Sequence, residues 1–330
     1  MQGSKLYELS KYALLPLAAT FLVGIDYFTK DTWLDTRVPY LEAFVSFLIL
    51  VTLERLYRYR HAVSQKHMIW RDMTSTMVQA FMVGSVFALV MYPVLHYLPN
   101  TFLGRRVLFG LSNQLGPLWL QIPIVMVLQS LWHYWMHRFE HTNEFLWKLH
   151  GYHHSVTHLQ VSNVLVSNPF EWGLRNTMGP LLIAIIGFNP VAIVIANAVI
   201  KVGGGFGGHC GADVEGGWLN SIWMTPQVHR WHHTTEFPDD PKWRYGCNFG
   251  VEFSFWDIVF GTYLLPKDEN GKVLAPPAIG HPSGYPDEPN YLKILLMARA
   301  FPTMDRFVDR ICDPFNKKAE GKGGFPVAAE

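Results

Sequence analysis

The 330-residue chain predicts an all-α integral membrane protein with about four transmembrane helices, a re-entrant or interfacial helical hairpin, and a histidine-rich helical cap on the cytoplasmic side. Three observations carry that expectation. Charged residues are only 16% of the chain against 49% hydrophobic and 15% aromatic. Long apolar stretches recur through the first half. Eleven of the fifteen histidines fall between His133 and His233, nine of them in clusters reading HYWMHRFEH, HGYHH and HRWHH.

The first apolar stretch, residues 12–28, lacks a convincing cleavage site and reads as an anchor, although as a helix it reaches only about 25 Å. Stretches 38–57, 78–98 and 118–137 are long enough to cross a hydrocarbon core of about 30 Å. Glu42 and Glu54 lie near the ends of the second, where a carboxylate can reach the interface. Arg55, Arg58, Arg60, Lys66 and Arg71 follow the second stretch, whereas Asp26, Asp31 and Asp35 accompany Lys30 and Arg37 in the link before it. The basic loop is therefore expected in the cytoplasm, so the fourth crossing brings His137 back to that side. Arg105 and Arg106, in the outer loop, argue the other way.

A further apolar stretch, 181–200, separates the second and third histidine clusters. One crossing would leave His154 and His229 on opposite faces of the bilayer, so Gly187, Asn189 and Pro190 are expected to break it into two halves that return. Residues 267–289 read as an extended surface loop. Residues 291–313 read as an amphipathic helix interrupted at Pro302, with disorder from Lys317.

The histidines ask for metal. An imidazole buried without a partner is costly, and neutral imidazole binds iron, zinc and copper. His137 and His141 share a helix face at i, i+4; His150, His153 and His154 span about 100° of another, a spacing that His229, His232 and His233 repeat. Spacing alone equally allows His133 with His137 as the first pair. Two metal ions sharing these rings would explain all three clusters. Asp257, Asn248, Glu140 and Glu171 are candidates to orient metal-bound rings, with Asp257 foremost.

The strings YWMHRFEH, LHGYHHS, TPQVHRWHH and FWDIVFGTY, in this order over residues 129–265, resemble the signatures of the fatty acid hydroxylase and sterol desaturase superfamily. The resemblance implies a membrane-bound non-haem diiron oxygenase that uses O2 to hydroxylate or desaturate a C–H bond of a sterol, sphingolipid or fatty acyl lipid. It implies metal ligation by His137, His141, His150, His153, His154, His229, His232 and His233, and by His209 in GGHC, with His133 left as a neighbour. The chain is expected to divide into anchor helices (1–117), a catalytic domain (118–265) and a cytoplasmic tail (266–330). The membrane would be the endoplasmic reticulum in a eukaryote or the inner membrane in a bacterium, with the site on the cytoplasmic side.

Other classes recede. A net charge of +1 and the absence of a basic block exclude nucleic acid as a partner. Cys210, Cys247 and Cys312 form no disulfide or zinc-ribbon pattern. GGGFGG at 203–208 fits GxGxxG by letter but follows a membrane segment rather than a strand, so it reads as a close-packing device near His209. With no nucleotide site, electrons must come from another protein: a cytochrome b5, a ferredoxin or an NAD(P)H reductase. A zinc hydrolase is the weaker reading because HExxH is absent, and a non-catalytic metal- or sterol-binding protein is the remaining rival. Trp119, Trp132, Trp135 and Trp147 are expected at the interface by default.

Overall fold

A computed structural model describes residues 48–57, 68–86 and 115–320. The expected span at 12–28, Arg105, Arg106, His61, His67, His96 and the outer parts of 38–57 and 78–98 lie outside the described residues. Within them the fold is helical, and β pairing is limited to isolated bridges such as Thr234 with Ile279. The principal helices are α1 (Ile69–Val86), α2 (Leu118–Thr142), α3 (Glu144–His154), α4 (Pro169–Ile186), α5 (Pro190–Ile200), α6 (Pro226–His232), α7 (Phe255–Val259), α8 (Tyr291–Leu295) and α9 (Pro302–Glu320).

Helix α2 is central, and its polarity is inverted. Gln121, Val125, Gln129, His133, His137 and His141 recur every fourth residue and are buried. Trp119, Leu120, Ile124, Val127, Trp135 and Phe139 face outward, Trp119 at 74% exposure. Helix α4 repeats the arrangement, burying Glu171, Arg175, Gly179 and Ile183 while Phe170, Leu182 and Ile186 stay exposed. Among the described residues no helix is long and apolar enough to cross a membrane, and that includes the helix over the expected span at 118–137, whose inward stripe of polar residues lowers its mean hydropathy.

The two polar faces meet closely. A Cβ on Gly179 would lie 2.6 Å from Cδ1 of Trp132, so glycine permits the approach of α4 to α2. Around the other end Val125, Ile183, Ala184, Phe188, Ala192, Ile193 and Ala196 form a core cluster.

The break expected within 181–200 is present. Helix α4 ends at Gly187, whose φ of 108° suits only glycine well, and α5 restarts at Pro190. Gln121 Oε1 accepts from Asn189 N–H at 2.9 Å, tying the turn to the start of α2. The first arm begins at Pro169, earlier than the apolar run suggests, because the Asn168 side chain caps it by accepting from Phe170 N–H.

Asn143 turns the chain between the first two histidine clusters. Its N–H closes α2 on Phe139 O, and its Oδ1 accepts from Leu146 N–H at 3.0 Å to open α3. One residue thus ends one helix and starts the next, aiming both at a common point. Towards the C-terminus, residues 267–289 contain no helix. The expected amphipathic stretch is split at Met297, whose φ is 54°, and Pro302 starts α9 rather than interrupting it. Residues 317–320, expected to be disordered, continue that helix.

Candidate metal centre

Nine histidines gather in two buried groups. His137, His141, His150, His154 and His232 form one, and His153, His209, His229 and His233 the other; within each, the candidate ligand atoms lie within 4.8 Å of one another. These are the nine residues that the sequence spacing and the resemblance single out. Helix α3 gives His150 and His154 to the first group and His153 to the second. Helix α6 and its C-cap split likewise, with His232 in the first and His229 and His233 in the second. His209 follows the π-helical turn Lys201–Phe206, where Gly208 packs against His229: a Cβ there would lie 3.2 Å from Cγ of that ring.

Backbone carbonyls orient the rings. Nδ1–H donates to Phe249 O from His137 at 2.8 Å, to Tyr245 O from His141 at 3.1 Å, and to Cys247 O from His232 at 2.8 Å. A carbonyl can only accept, so each of these imidazoles has its Nε2 lone pair turned inward. His209 Nδ1 is 3.2 Å from Asn163 Oδ1, and His150 Nδ1 is 3.4 Å from Glu171 Oε1 and 3.6 Å from Glu140 Oε2.

The inward atoms fit a cation. His137 Nε2 lies 3.0 Å from His150 Nε2, and His209 Nε2 3.1 Å from His153 Nε2. Two imidazole nitrogens each about 2.1 Å from one divalent ion and at right angles would stand about 3.0 Å apart. Nε2 of His141, His154, His229, His232 and His233 is buried with no hydrogen-bond partner. Each such orphan costs about 1–3 kcal/mol, and a shared positive ion removes the cost for all.

Electrostatics keep the rings in their ligating form. Burial first, and then the positive Arg175, lowers the pKa of His153 to about 3; burial lowers that of His232 to about 4 against the opposing Cys247 hydrogen bond. His150, His154, His209, His229 and His233 are likewise driven well below the usual histidine value, chiefly by burial. Beside His150, Arg175 bonds Glu140 at 2.8 Å and sits 3.4 Å from Glu171. Burial nevertheless raises both carboxyls above the ordinary glutamate range.

The other sequence candidates stand outside the two groups. His133 donates from Nδ1 to Glu252 Oε1 at 2.5 Å, and its Nε2 lies 2.9 Å from Gln129 Nε2. Asp257 reaches no imidazole; its oxygens accept from the N–H groups of Phe249 and Gly250 and from Thr262 Oγ1. Burial raises its pKa to about 6 against those three bonds. Asn248, at φ 53°, donates to Val228 O and Leu264 O and accepts from Leu264 N–H. Both residues shape the 245–250 loop whose carbonyls hold three rings. Glu140 and Glu171, ranked behind Asp257 in sequence, are the carboxylates that face a ring.

A cavity of about 70 Å³ touches both groups. His137, His153, His209 and His229 line its floor; Leu165, Trp172, Phe206 and Val251 give apolar walls; Arg175, Asn176, Gly205 and Glu252 complete it.

Residues 122–262 match the family model for fatty acid hydroxylase. The chain is 27% identical over 150 residues to an ornithine lipid hydroxylase of Rhizobium tropici, covering 46% of this chain and 44% of that protein. It is 29% identical to sphinganine C4-monooxygenase 1 of Arabidopsis thaliana, covering 48% and 60%, and 25% identical to a methylsterol monooxygenase of Aspergillus fumigatus, covering 44% and 48%. The alignments thus span only about half the length of these curated relatives. No solved structure matches. The matched region contains both imidazole groups and the carbonyl loop that orients them, and over that region, somewhat less than half of the chain, the sequence is similar to the fatty acid hydroxylase family.

Proposed function

We propose that this protein is an O2-dependent diiron oxidoreductase that hydroxylates a C–H bond of a membrane lipid. The observation that carries the reading is the convergence of five and four buried imidazoles, from four separate segments, on two adjacent points. Nine nitrogen donors exceed the four that zinc sites commonly take. Iron held there supplies reductive activation of O2 for attack on an unactivated C–H bond, which protein side chains alone lack.

The chain's own residues do the rest. His137, His141, His150, His154 and His232 would hold one ion, and His153, His209, His229 and His233 the other. Phe249 O, Cys247 O and Tyr245 O fix ring tautomers, and Glu140 and Glu171 stand 3.6 and 3.4 Å from His150 Nδ1, where their charge favours a proton on that nitrogen. Leu165, Trp172, Phe206 and Val251 would exclude water around a methylene placed at the floor of the cavity. Hydroxylation is favoured over desaturation because the three relatives described above are named hydroxylases or monooxygenases. Imidazole ligation leaves either outcome open, since the position of the second hydrogen decides it.

The outward faces of α2 and α4 support residence in the bilayer. A run of exposed tryptophan, leucine, isoleucine and phenylalanine opposite a buried polar stripe suits lipid outside and a polar interior. The electron donor is proposed to be a separate protein, docking on the cytoplasmic side.

Comparing lipidomes of cells with and without the gene tests the activity: gain of one oxygen in a lipid class supports it. His153→Ala abolishes that shift on this reading. A shift that persists at its normal rate removes His153 from the essential set.

A further inference from the structure

Apart from imidazole nitrogens, the cavity holds one buried side-chain polar atom that nothing among the described residues satisfies. Glu252 lines it, and the side chain is only 1% exposed. Its Oε1 is taken by His133 at 2.5 Å, whereas Oε2 is buried with no hydrogen-bond partner. A buried carboxylate oxygen that lacks a donor is costly, and the backbone holds this one in place. Met224 N–H donates to Glu252 O at 2.8 Å, and the π-helical turn presses so close that a Cβ on Gly204 would lie 2.3 Å from Glu252 Cα. The carboxylate therefore has little freedom to withdraw, and the unmet donor must come from whatever enters the cavity.

Beside Gly204, Gly205 also lines the cavity, yet a Cβ there would meet nothing within 4 Å. The wall is left open at that point. A volume of about 70 Å³ accommodates a few waters or a short run of methylenes, not a whole lipid. It therefore takes only the reacting segment and its nearest polar group. Arg175 on the same wall disfavours a cation there.

We infer that the cavity recognises a lipid bearing a hydroxyl group close to the carbon to be oxidised, with Glu252 Oε2 accepting from that hydroxyl and Gly205 leaving room for the chain. The assignment deepens the oxygenase reading and rests on it. It makes Glu252 a specificity-determining residue, and it makes Gln129 and His133 its positioning partners.

The test is equilibrium binding of three probes to the iron-loaded protein in nanodiscs: dodecane-1,2-diol, its dimethyl ether, and dodecylammonium. Wild type should bind the diol about tenfold or more tighter than the ether, as expected for a hydrogen bond to a charged acceptor, and tighter than dodecylammonium. Glu252→Gln should collapse the diol preference to within about twofold, because the amide nitrogen that replaces Oε2 donates rather than accepts and meets diol and ether oxygens alike. Gly205→Val should weaken diol and ether alike, by about tenfold, by filling the open wall. Equal affinities for diol and ether in wild type, tighter binding of dodecylammonium, an undiminished preference in Glu252→Gln, or unchanged binding in Gly205→Val would each overturn the inference. The wild-type comparison decides the matter even if Glu252→Gln fails to fold. Iron content is measured on the same samples, so failure of the metal reading shows separately as protein that binds no iron.

Discussion

His154 and His233 stack with ring centroids 4.3 Å apart and planes 23° from parallel, although each belongs to a different group of imidazoles. His154 also lies 4.6 Å from His232, and His153 4.8 Å from His233, so α3 and α6 interleave their clusters. The two candidate metal positions are therefore neighbours within one packed layer. Their metals should depend on each other. His154→Ala and His233→Ala, each removing a ring from one group, are expected to lower metal content at both, measurable as metal-to-protein ratio after gel filtration. Loss confined to one ion in both variants would show two independent sites.

Asp257 acts on the rings only through backbone. Removing it in Asp257→Ala leaves the N–H groups of Phe249 and Gly250 and the hydroxyl of Thr262 without their acceptor. We expect a loss of about 3 kcal/mol of stability and metal affinity lowered roughly tenfold, because Phe249 O and Cys247 O lose their registration. Denaturant unfolding and competitive chelation measure the two effects; unchanged affinity would detach the loop from ring orientation.

The ion cluster beside His150 is asymmetric in its tolerance. Arg175→Met leaves Glu140 and Glu171 buried together without their cation and should cost about 3–5 kcal/mol. Glu171→Gln keeps an acceptor near His150 Nδ1 and removes one of two crowded carboxylates, so its effect on stability should be small. Chemical denaturation of both variants checks the ordering.

Two adjacent glycines give a packing test. A Cβ at Gly204 meets the Glu252 backbone at 2.3 Å, whereas at Gly205 it meets nothing within 4 Å. Gly204→Ala should destabilise by about 1–3 kcal/mol or more through overpacking, while Gly205→Ala should fold as well as wild type. Thermal melts of the pair suffice.

Metal-free protein should be acid-sensitive. His153 and His232 have folded pKa values of about 3 and about 4 against an ordinary 6.5, so between those limits the unfolded chain binds more protons and stability falls as pH falls. Carboxyls raised by burial, Asp257 to about 6 together with Glu140 and Glu171, work in the opposite direction, but the buried histidines held below their ordinary value outnumber them. A melting temperature of the metal-free protein that drops between pH 7 and pH 5, and drops less with metal bound, is the expected result.

Much of the site was legible because helical spacing alone places His150, His153 and His154, and again His229, His232 and His233, within one sector of a helix. The outer partners were not legible, for a physical reason: carbonyls of Tyr245, Cys247 and Phe249 have no side-chain signature. Glu140 and Glu171 become neighbours of His150 only because Gly179 lets α4 cross α2 closely. The turn at Gly187 and Pro190 was readable from local chemistry. The start of α4 was not, because its cap Asn168 lies outside the apolar run. Length and hydropathy alone single out the stretch 118–137, while its decisive feature is periodic: a polar residue or histidine nearly every fourth position from Gln121 to His141, turned inward.

The most direct measurement is the metal content of purified protein loaded with ferrous iron without oxygen, followed by Mössbauer spectroscopy. Two irons per chain in nitrogen-rich, magnetically coupled environments are the predicted result. A single zinc, or substoichiometric metal in a fully folded chain, would contradict it.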